Sequence, residues 1–313
     1  MTAAPIRRIA VVGAGTIGSS WIACFLANGF DVTAHDPSAA AMARIEATVA
    51  RAWPALERLG LAADASKDRL TLHEDLAATV AEADFVQENG PERLDLKRDL
   101  FEQLGRHCRA DAIIASSSSG ITPSEYQDAA AHPGRVVLGH PFNPPHLVPL
   151  VEVCAGKLTS QDTVERTLAF YRSIGKQPIL LRREIRGHIA NRLQAAVWRE
   201  AFSLVTSGVA SAEDVDAAIS HGLGLRWALL GPYLNLHLAG GAGGTAHAFE
   251  LLARPMAQWW ADLGEVTLDE ATIAGLVAAG DEWVAQHDIE TVVAQRDAML
   301  VELIKRKRDS DLP

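Results

Sequence analysis

The sequence predicts an α/β domain with a doubly wound, mostly parallel sheet, followed by an all-helical domain. Up to about residue 186, short β-branched apolar runs alternate with amphipathic segments, which is typical of a parallel sheet covered by helices on both faces. Beyond that point only long helical periodicities follow. We therefore expect a first domain over residues 1–186 and a second over residues 187–313.

The first domain begins with the apolar run RRIAVVGAG, which ends in glycines and predicts the first strand. A helix over residues 16–28 and a second strand over residues 31–35 follow. Further strands are predicted over residues 83–87, 112–115 and 136–138. In the second domain, helices are predicted over residues 189–205, 212–220, 246–263, 268–286 and 290–307.

Composition and charge exclude several function classes. The formal net charge of −10 disfavours a nucleic-acid partner, which needs a basic surface. No run approaches the roughly 20 apolar residues of a membrane-spanning helix. The three cysteines are odd in number and widely spaced, which argues against disulfides and a zinc site. These features indicate a cytoplasmic protein with buried thiols and no metal.

A glycine-rich hexad, GAGTIG, directly follows the first predicted strand and opens the first helix. Gly13 would make the tight turn, Gly15 would let the backbone approach a pyrophosphate, and Gly18 would let the helix pack close to the strand. The N–H groups at the helix start, around Thr16 and Ile17, would face the phosphates. The hexad in this context predicts a Rossmann-type dinucleotide site.

An acidic residue at the end of the second strand selects the dinucleotide. Asp36 lies eighteen residues after Gly18. Its carboxylate can accept hydrogen bonds from both ribose hydroxyls and would repel a 2′-phosphate. The residues after it, Pro37, Ser38 and two alanines, supply no arginine for that phosphate. The sequence therefore predicts NAD as the cofactor.

A second motif, VLGHPFNPPHLVPLVEV, covers residues 137–153. It resembles the signature of the 3-hydroxyacyl-CoA dehydrogenase superfamily, in which a histidine precedes an FNP segment and a glutamate follows in an LVEV strand. His140 and Glu152 match those two positions, and the resemblance implies that they form a catalytic dyad. His146 has no counterpart in that signature, and we expect a structural role for it.

Three further segments are similar to motifs of the same superfamily, and all four occur in the family's order over nearly the whole chain. They are the serine run at 116–119, the PERLDLK segment at 91–97 and the GHIANRL segment at 187–193, which is similar to the family's GFxxNRL. The resemblance implies that Glu92 and Lys97 line the nicotinamide side of the cofactor. It also implies NAD-dependent oxidation of the 3-hydroxyl of a small 3-hydroxy acid.

The chemistry of such an oxidation agrees with these residue types. A base must take the hydroxyl proton while hydride leaves, and histidine, with an ordinary pKa of about 6.5, suits that task. The carboxylate of Glu152 would orient the ring of His140 and stabilise its protonated form. Ser119 and Asn191 are the candidates to hold the substrate oxygen. Ser119 is preferred to Ser118 because it keeps the family's spacing to the histidine.

Several segments resemble branches of the superfamily that act on free acids rather than on thioesters. HPFNPP stands where acyl-CoA enzymes typically show HFFNP, and Arg226 stands where they usually carry no cation. A guanidinium binds a carboxylate in a bidentate fork, whereas a thioester carries no charge. Residues 52–56 and 198–201 resemble L-carnitine 3-dehydrogenases, whereas residues 191–194 and 229–232 lean towards the L-gulonate 3-dehydrogenase (lambda-crystallin) type.

We expect L-carnitine as the substrate and 3-dehydrocarnitine as the product. Arg226 would bind the carboxylate, and Trp198, Trp227 and Tyr233 are the candidates for the quaternary ammonium group, which aromatic faces attract. L-gulonate, a 3-hydroxyacyl-CoA thioester and a non-catalytic, crystallin-like role are the alternatives. We also expect a homodimer, because the helices of the second domain cannot bury all of their apolar faces among themselves.

Overall fold

The computed structural model describes residues 6–312. The contacts divide the chain into two compact units, of which the first ends at Arg192 and the second begins at Leu193. The boundary predicted at residue 186 falls just before this division. The predicted fold class, a mostly parallel α/β sheet followed by an all-helical region, is confirmed.

Over the part of the chain that the structure describes, the sheet has eight strands. They are β1 (Arg8–Val12), β2 (Asp31–His35), β3 (Leu70–Leu72), β4 (Phe85–Glu88), β5 (Ile113–Ser116), β6 (Val136–Pro141), β7 (Leu150–Ala155) and β8 (Gln177–Leu181). Their spatial order is β3-β2-β1-β4-β5-β6-β7-β8. Every neighbouring pair is parallel except β6 and β7, which run antiparallel.

Five α-helices cover this sheet within the described residues of the first unit. They are α1 (Thr16–Ala27), α2 (Ala41–Leu59), α3 (Leu76–Val80), α4 (Leu94–His107) and α5 (Gln161–Ser173). Along β1, alternate residues belong to two separate clusters, Ile9 and Val11 to one and Ala10 and Val12 to the other. Because successive strand side chains point to opposite faces, the sheet has a hydrophobic core on each side, as a doubly wound fold requires.

Helix α1 is buried over almost its whole length, and aromatic rings form part of its contact with α5. Trp21 stacks on Phe25, with ring centroids 5.1 Å apart, and also on Tyr171 of α5 at 5.7 Å. Phe85 of β4 contacts Phe170 of α5 at 4.3 Å. These contacts pack α1 against α5, and α5 against the first residue of β4.

Seven α-helices follow the sheet within residues 6–312. They are α6 (Ala190–Thr206), α7 (Ala212–Ala218), α8 (Gly224–Trp227), α9 (Pro232–Ala239), α10 (Gly244–Asp262), α11 (Glu270–Val284) and α12 (Ile289–Arg308). The five predicted helices correspond to α6, α7, α10, α11 and α12, whereas α8 and α9 were not predicted. The glycines between α9 and α10 are required, because a Cβ on Gly240 would lie 1.8 Å from the carbonyl oxygen of Gly244.

The second unit buries few side chains. From Leu193 to residue 312, only Gly240, Gly244, Ala248 and Val301 are buried. None of the helices within residues 6–312 has the length and hydropathy needed to cross a membrane. The predicted cytoplasmic location stays a prediction. The three cysteines, all in the first unit, are free and buried, as predicted.

Candidate active site

The antiparallel pairing of β6 and β7 brings the two predicted dyad residues together. His140 lies directly opposite Glu152 in the register, so that both side chains project from the same face. His140 Nδ1 is 2.9 Å from Glu152 Oε2, and both residues are buried. The two positions, twelve residues apart in the sequence, therefore form a hydrogen-bonded pair.

Three donors surround the carboxylate of Glu152. Besides the His140 ring, the N–H groups of Ile189 and Ala190 donate to Oε1 at 2.7 and 3.0 Å. Burial raises the pKa of Glu152, but these donors outweigh burial and lower that pKa below its ordinary value. The group is therefore an anion that only accepts hydrogen bonds, so His140 Nδ1 carries a proton. In the neutral ring, Nε2 then keeps the lone pair that a base needs.

The two residues predicted to hold the substrate oxygen are neighbours in the structure. The side-chain amide of Asn191 donates to the carbonyl oxygen of Ser119 at 3.2 Å, and Ser119 is exposed. Ser118 is buried, and its hydroxyl donates to Glu92 Oε1 at 2.7 Å. This arrangement leaves the hydroxyl of Ser119 rather than that of Ser118 at the surface, which favours the predicted choice. The roles of both residues stay predictions.

Glu92 accepts hydrogen bonds from the loop that contains these serines and so stabilises its conformation. Its Oε1 accepts from the Ser118 hydroxyl and from the N–H groups of Gly120 and Ile121, at 2.7 and 3.0 Å. Burial raises the pKa of Glu92. The hydrogen bonds from the Ser118 hydroxyl and the two amides, together with the charge of Lys97, outweigh burial and bring the pKa below its ordinary value. The observed role of Glu92 is to shape the loop, and its predicted contact with the cofactor stays a prediction.

Lys97 forms an ion pair that the sequence did not reveal. Its ammonium group binds both carboxylate oxygens of Glu88, at 2.9 and 2.8 Å, and both side chains are buried. The hydroxyl of Ser116 and the N–H of Gly90 also donate to Glu88. Lys97 is thus the counter-charge of Glu88, and its predicted position beside the nicotinamide stays a prediction.

The glycine-rich hexad has the backbone geometry that a dinucleotide requires. Gly13 has a φ of 85°, and a Cβ there would lie 2.6 Å from the carbonyl oxygen of Asn89. A Cβ on Gly18 would lie 1.9 Å from the carbonyl oxygen of Gly13, whereas a Cβ on Gly15 would meet no atom of residues 6–312 within 4 Å. Among the described residues, no side chain caps the first turn of α1, at Thr16 and Ile17. The open space and free helix start fit a pyrophosphate.

Asp36 lies beside this hexad, with its Oδ2 accepting from the N–H of Ala14 at 2.7 Å. Arg44 of α2 lies 3.3 Å from Asp36 Oδ1 and donates through Nε to the carbonyl oxygen of Ala14 at 2.7 Å. This arginine was not expected from the sequence, because it does not belong to the residues immediately after Asp36. The signal was a basic residue in the first turn of the next helix, which can reach back to the strand end.

His146 is hydrogen-bonded to the first helix, and the structural role expected for it stays a prediction. Its Nδ1 is 2.8 Å from the hydroxyl of Ser20 on α1, and its backbone N–H donates to the same hydroxyl at 3.0 Å. A second histidine was missed: His188 is buried, and its ring centroid is 5.1 Å from that of His140.

The predicted substrate-binding residues lie in the second unit and are exposed. Arg226 and Trp227 belong to the short helix α8, Trp198 to α6 and Tyr233 to α9. Tyr233 is 83% exposed, and within residues 6–312 no ring stacking or cation–π contact joins any two of the four residues. The structure does not assemble them into a cage, and their roles stay predictions.

Comparison with known proteins agrees with this geometry. The family model of the 3-hydroxyacyl-CoA dehydrogenase NAD-binding domain matches residues 8–185, and that of the C-terminal domain matches residues 187–275. The chain belongs to the 3-hydroxyacyl-CoA dehydrogenase family. It is an NAD-dependent oxidoreductase of that family, so the predicted enzyme class and cofactor are confirmed.

Curated relatives cover almost the whole chain. An L-carnitine dehydrogenase of Streptomyces griseus is 47% identical over 96% of this chain and 90% of its own length. An L-carnitine dehydrogenase of Pseudomonas putida is 41% identical over 97% of this chain and 95% of its own length.

Two solved structures show the same architecture. An NAD⁺-dependent 5-formyl-3-hydroxy-2-methylpyridine 4-carboxylic acid 5-dehydrogenase has a TM-score of 0.85 at 29% identity, covering 97% of this chain and 99% of its own. (S)-3-hydroxybutyryl-CoA dehydrogenase from Ralstonia eutropha has a TM-score of 0.63 at 28% identity, covering 81% of this chain and 89% of its own.

Proposed function

We propose that this protein oxidises the 3-hydroxyl of L-carnitine to give 3-dehydrocarnitine. The observation that carries the chemistry is the buried hydrogen bond between His140 and the ionised Glu152. The support for the substrate is that relatives 39–47% identical over nearly the whole chain are L-carnitine dehydrogenases.

In the proposed reaction, His140 Nε2 takes the proton of the substrate hydroxyl. Glu152, bonded to Nδ1, holds the ring in the tautomer that leaves Nε2 free and stabilises the positive charge that the ring acquires. The hydroxyl of Ser119 and the amide of Asn191 hold the substrate oxygen as it becomes a carbonyl oxygen. Bound NAD supplies the acceptor for the hydride that leaves C3.

We propose Arg226 as the ligand of the substrate carboxylate, and Trp198, Trp227 and Tyr233 as the aromatic faces for the trimethylammonium group. A trimethylammonium group cannot donate hydrogen bonds, so it is bound by aromatic rings or by carboxylates. L-gulonate would need several polar partners, and the segment ALLGPYLNL at residues 228–236 offers few. A solved relative whose substrate is a pyridine carboxylic acid matches 97% of this chain, which supports a free acid as the substrate.

We also propose that two copies of this chain pair through their helical units. Large apolar side chains of the second unit, such as Trp259, Trp260 and Leu251, are more than half exposed. A soluble monomer rarely exposes so much apolar surface. A second copy offers the same apolar helices, so an isologous contact would bury both surfaces.

The decisive experiment measures NADH formation by the purified protein with L-carnitine, L-gulonate and 3-hydroxybutyryl-CoA under identical conditions. We expect the highest kcat/KM with L-carnitine and poor turnover of the thioester. Turnover of gulonate but not of carnitine would contradict the aromatic assignment. Turnover of the thioester alone would contradict the carboxylate assignment as well, and bound NADH without turnover of any substrate would favour the crystallin-like role.

A further inference from the structure

His188 occupies a backbone position that suits glycine rather than a larger residue. Its φ is 51°, and Gly187 before it has a φ of 73°. Side chains with a Cβ are rare in this left-handed region because the Cβ crowds the backbone, and such residues cluster at functional sites. Since His188 is also only 1% exposed, its surroundings must hold it there.

A hydrogen bond from the His188 ring stabilises this backbone conformation. His188 Nε2 is 3.0 Å from the backbone carbonyl oxygen of Ser118. A carbonyl oxygen only accepts, so Nε2 must carry the proton and donate it. The same ring lies beside the predicted base, with its centroid 5.1 Å from that of His140 and the two planes inclined by 53°.

The residues on either side of this bond belong to both halves of the candidate site. Ser118 directly precedes Ser119, whose carbonyl oxygen accepts from the amide of Asn191. The N–H groups of Ile189 and Ala190, directly after His188, donate to Glu152. The bond from His188 to Ser118 therefore joins the turn that orients the carboxylate of the dyad to the loop that holds the substrate oxygen.

We propose that His188 is a positioning residue for the oxidation, which fixes the distance between the base and the group that holds the substrate oxygen. This inference rests on the proposed function. His188 acts through the Ser118 carbonyl and the two amides that follow it, and not by taking a proton from the substrate. A displacement of about 1 Å between reacting groups can reduce a rate about 100-fold, so a tie at this point has a catalytic consequence.

Histidine suits this position better than phenylalanine, lysine or arginine would. The similar motif GFxxNRL has phenylalanine here, and a phenyl ring cannot donate a hydrogen bond to Ser118. A lysine or arginine could donate, but its positive charge would oppose the charge that His140 gains. Burial lowers the pKa of His188, and the charge of His140 lowers it further against the opposing effects of the Ser118 carbonyl, Glu152 and Glu92. The ring is thus a neutral donor near pH 7.

Two variants of similar size separate the hydrogen bond from packing. His188→Gln keeps an N–H donor near the position of Nε2, whereas His188→Met has nearly the same length and no donor. We expect the Met variant to lose kcat about 10- to 100-fold, as removal of outer hydrogen-bond partners does at other sites, with KM and the Kd of NADH changed less than about threefold. The Gln variant should stay within about threefold of wild type in kcat.

Wild-type kcat in the Met variant, or equal losses in the Met and Gln variants, would overturn the proposal, because either result assigns His188 to packing alone. Loss of NADH binding together with kcat would also overturn it, since the residue would then support the fold in general.

A measurement on the wild-type protein is independent of how the variants fold. The ¹⁵N chemical shifts of the labelled His188 ring should show the Nε2–H neutral tautomer at pH 7. The Nδ1–H tautomer would overturn the proposal, because Nε2 could not then donate to Ser118. If the wild-type protein oxidises none of the three test substrates, the proposed function fails, whereas the tautomer still decides whether His188 ties the two segments.

Discussion

The α/β unit and the helical unit bury their apolar side chains to very different extents. The first has a core on each face of its sheet, and rings such as Trp21, Phe25 and Phe85 are completely buried. The second buries four residues between Leu193 and residue 312, and it exposes Trp260 to 69%. The groups proposed for proton transfer lie in the unit with the two buried cores. The groups proposed for substrate recognition lie in the unit that leaves most of its large apolar side chains exposed.

The two units therefore differ in how well their structure supports a chemical role for each residue. In the first unit, distances and hydrogen bonds between buried groups support specific chemical roles. In the second, the exposed residues have positions along helices but few hydrogen-bond or ring partners, so their proposed roles rest on residue type. Mutations in the two units should therefore have different kinetic consequences.

The largest effect is expected in the first unit. His140→Gln should reduce kcat by about 100- to 10,000-fold or more, because it removes the proposed base, while the Kd of NADH stays nearly constant. Glu152→Gln should also reduce kcat, since the charged partner of the ring is lost. Rates are measured as NADH formation from L-carnitine, with His146→Gln as a control that should retain kcat. Near-normal turnover in the His140 variant would refute the mechanism.

The next effect is expected in the second unit and in a different parameter. Arg226→Ala should lower kcat/KM for L-carnitine, mainly through KM, because loss of one partner of a desolvated charged pair costs about 2–5 kcal/mol, which is about 30-fold to several thousand-fold. Arg254→Ala, an exposed arginine of α10, is the matched control. If both variants have the same KM, Arg226 does not bind the carboxylate. The assignment of substrate recognition to the second unit would then be wrong.

The exposed apolar surface can be tested by the mass of the protein in solution. We expect twice the chain mass of 33.5 kDa in light scattering after size-exclusion chromatography. Trp260→Glu should shift the equilibrium towards the monomer, because a charge in a buried apolar contact is costly. Glu265→Gln, on an exposed polar residue of the same unit, should leave the mass unchanged. A wild-type monomer would show that the helical unit is stable with its apolar side chains in water.

A smaller effect is expected at the cofactor. Asp36→Ala should reduce the preference for NAD over NADP about 10-fold or more, because repulsion of the 2′-phosphate is removed and Arg44 is released from its partner. The double variant Asp36→Ala/Arg44→Ala should lose the gain in NADP use, as measured by kcat/KM for each cofactor. Equal use of both cofactors by the wild-type protein would mean that Asp36 does not face the ribose.

The smallest effect is on stability in acid. The pKa of His188, lowered by burial, and the pKa of Glu152, lowered by its hydrogen-bond donors against burial, both lie below their ordinary values in the folded protein. The unfolded chain therefore binds more protons as pH falls, and stability is lost. For His188 the loss begins as the pH falls below about 6.5, the ordinary pKa of histidine, and Glu152 adds to it at lower pH.

Urea unfolding at pH 7.5, 6.5 and 5.5 measures this loss. In the His188→Gln variant the free energy of unfolding should fall less between pH 7.5 and 5.5 than in the wild-type protein. An identical decline in both proteins would mean that the His188 ring takes up its proton equally well in the folded and unfolded states.

The sequence predicted the parts of the fold that depend on local patterns. The glycine-rich hexad and β2 were predicted correctly because glycines and β-branched runs determine the backbone conformation of only a few neighbouring residues. β3 and β8 were missed because β3 has only three residues and β8, with Pro178, is a partly exposed edge strand. α8 and α9 were missed because they are short and lie among leucines and glycines without clear periodicity.

The candidate site was predictable only where a motif marked it. His140 and Glu152 were found through their match to a family signature, because in the buried strands β6 and β7 no alternation reveals which residues face each other. Glu88 was missed although it is a charged residue at the end of a completely buried strand, and such a residue requires a buried partner. Lys97, nine residues later, was known only from its motif.

The antiparallel register of β6 and β7 also limits how this enzyme can change during evolution. A deletion or insertion of one residue inside either strand would turn His140 or Glu152 to the opposite face of the sheet and separate them. Length changes in the connecting segment, residues 142–149, would leave the two side chains opposite each other. We therefore expect natural indels in this hairpin to occur in its connection, where new side chains can alter the surroundings of the dyad without separating its members.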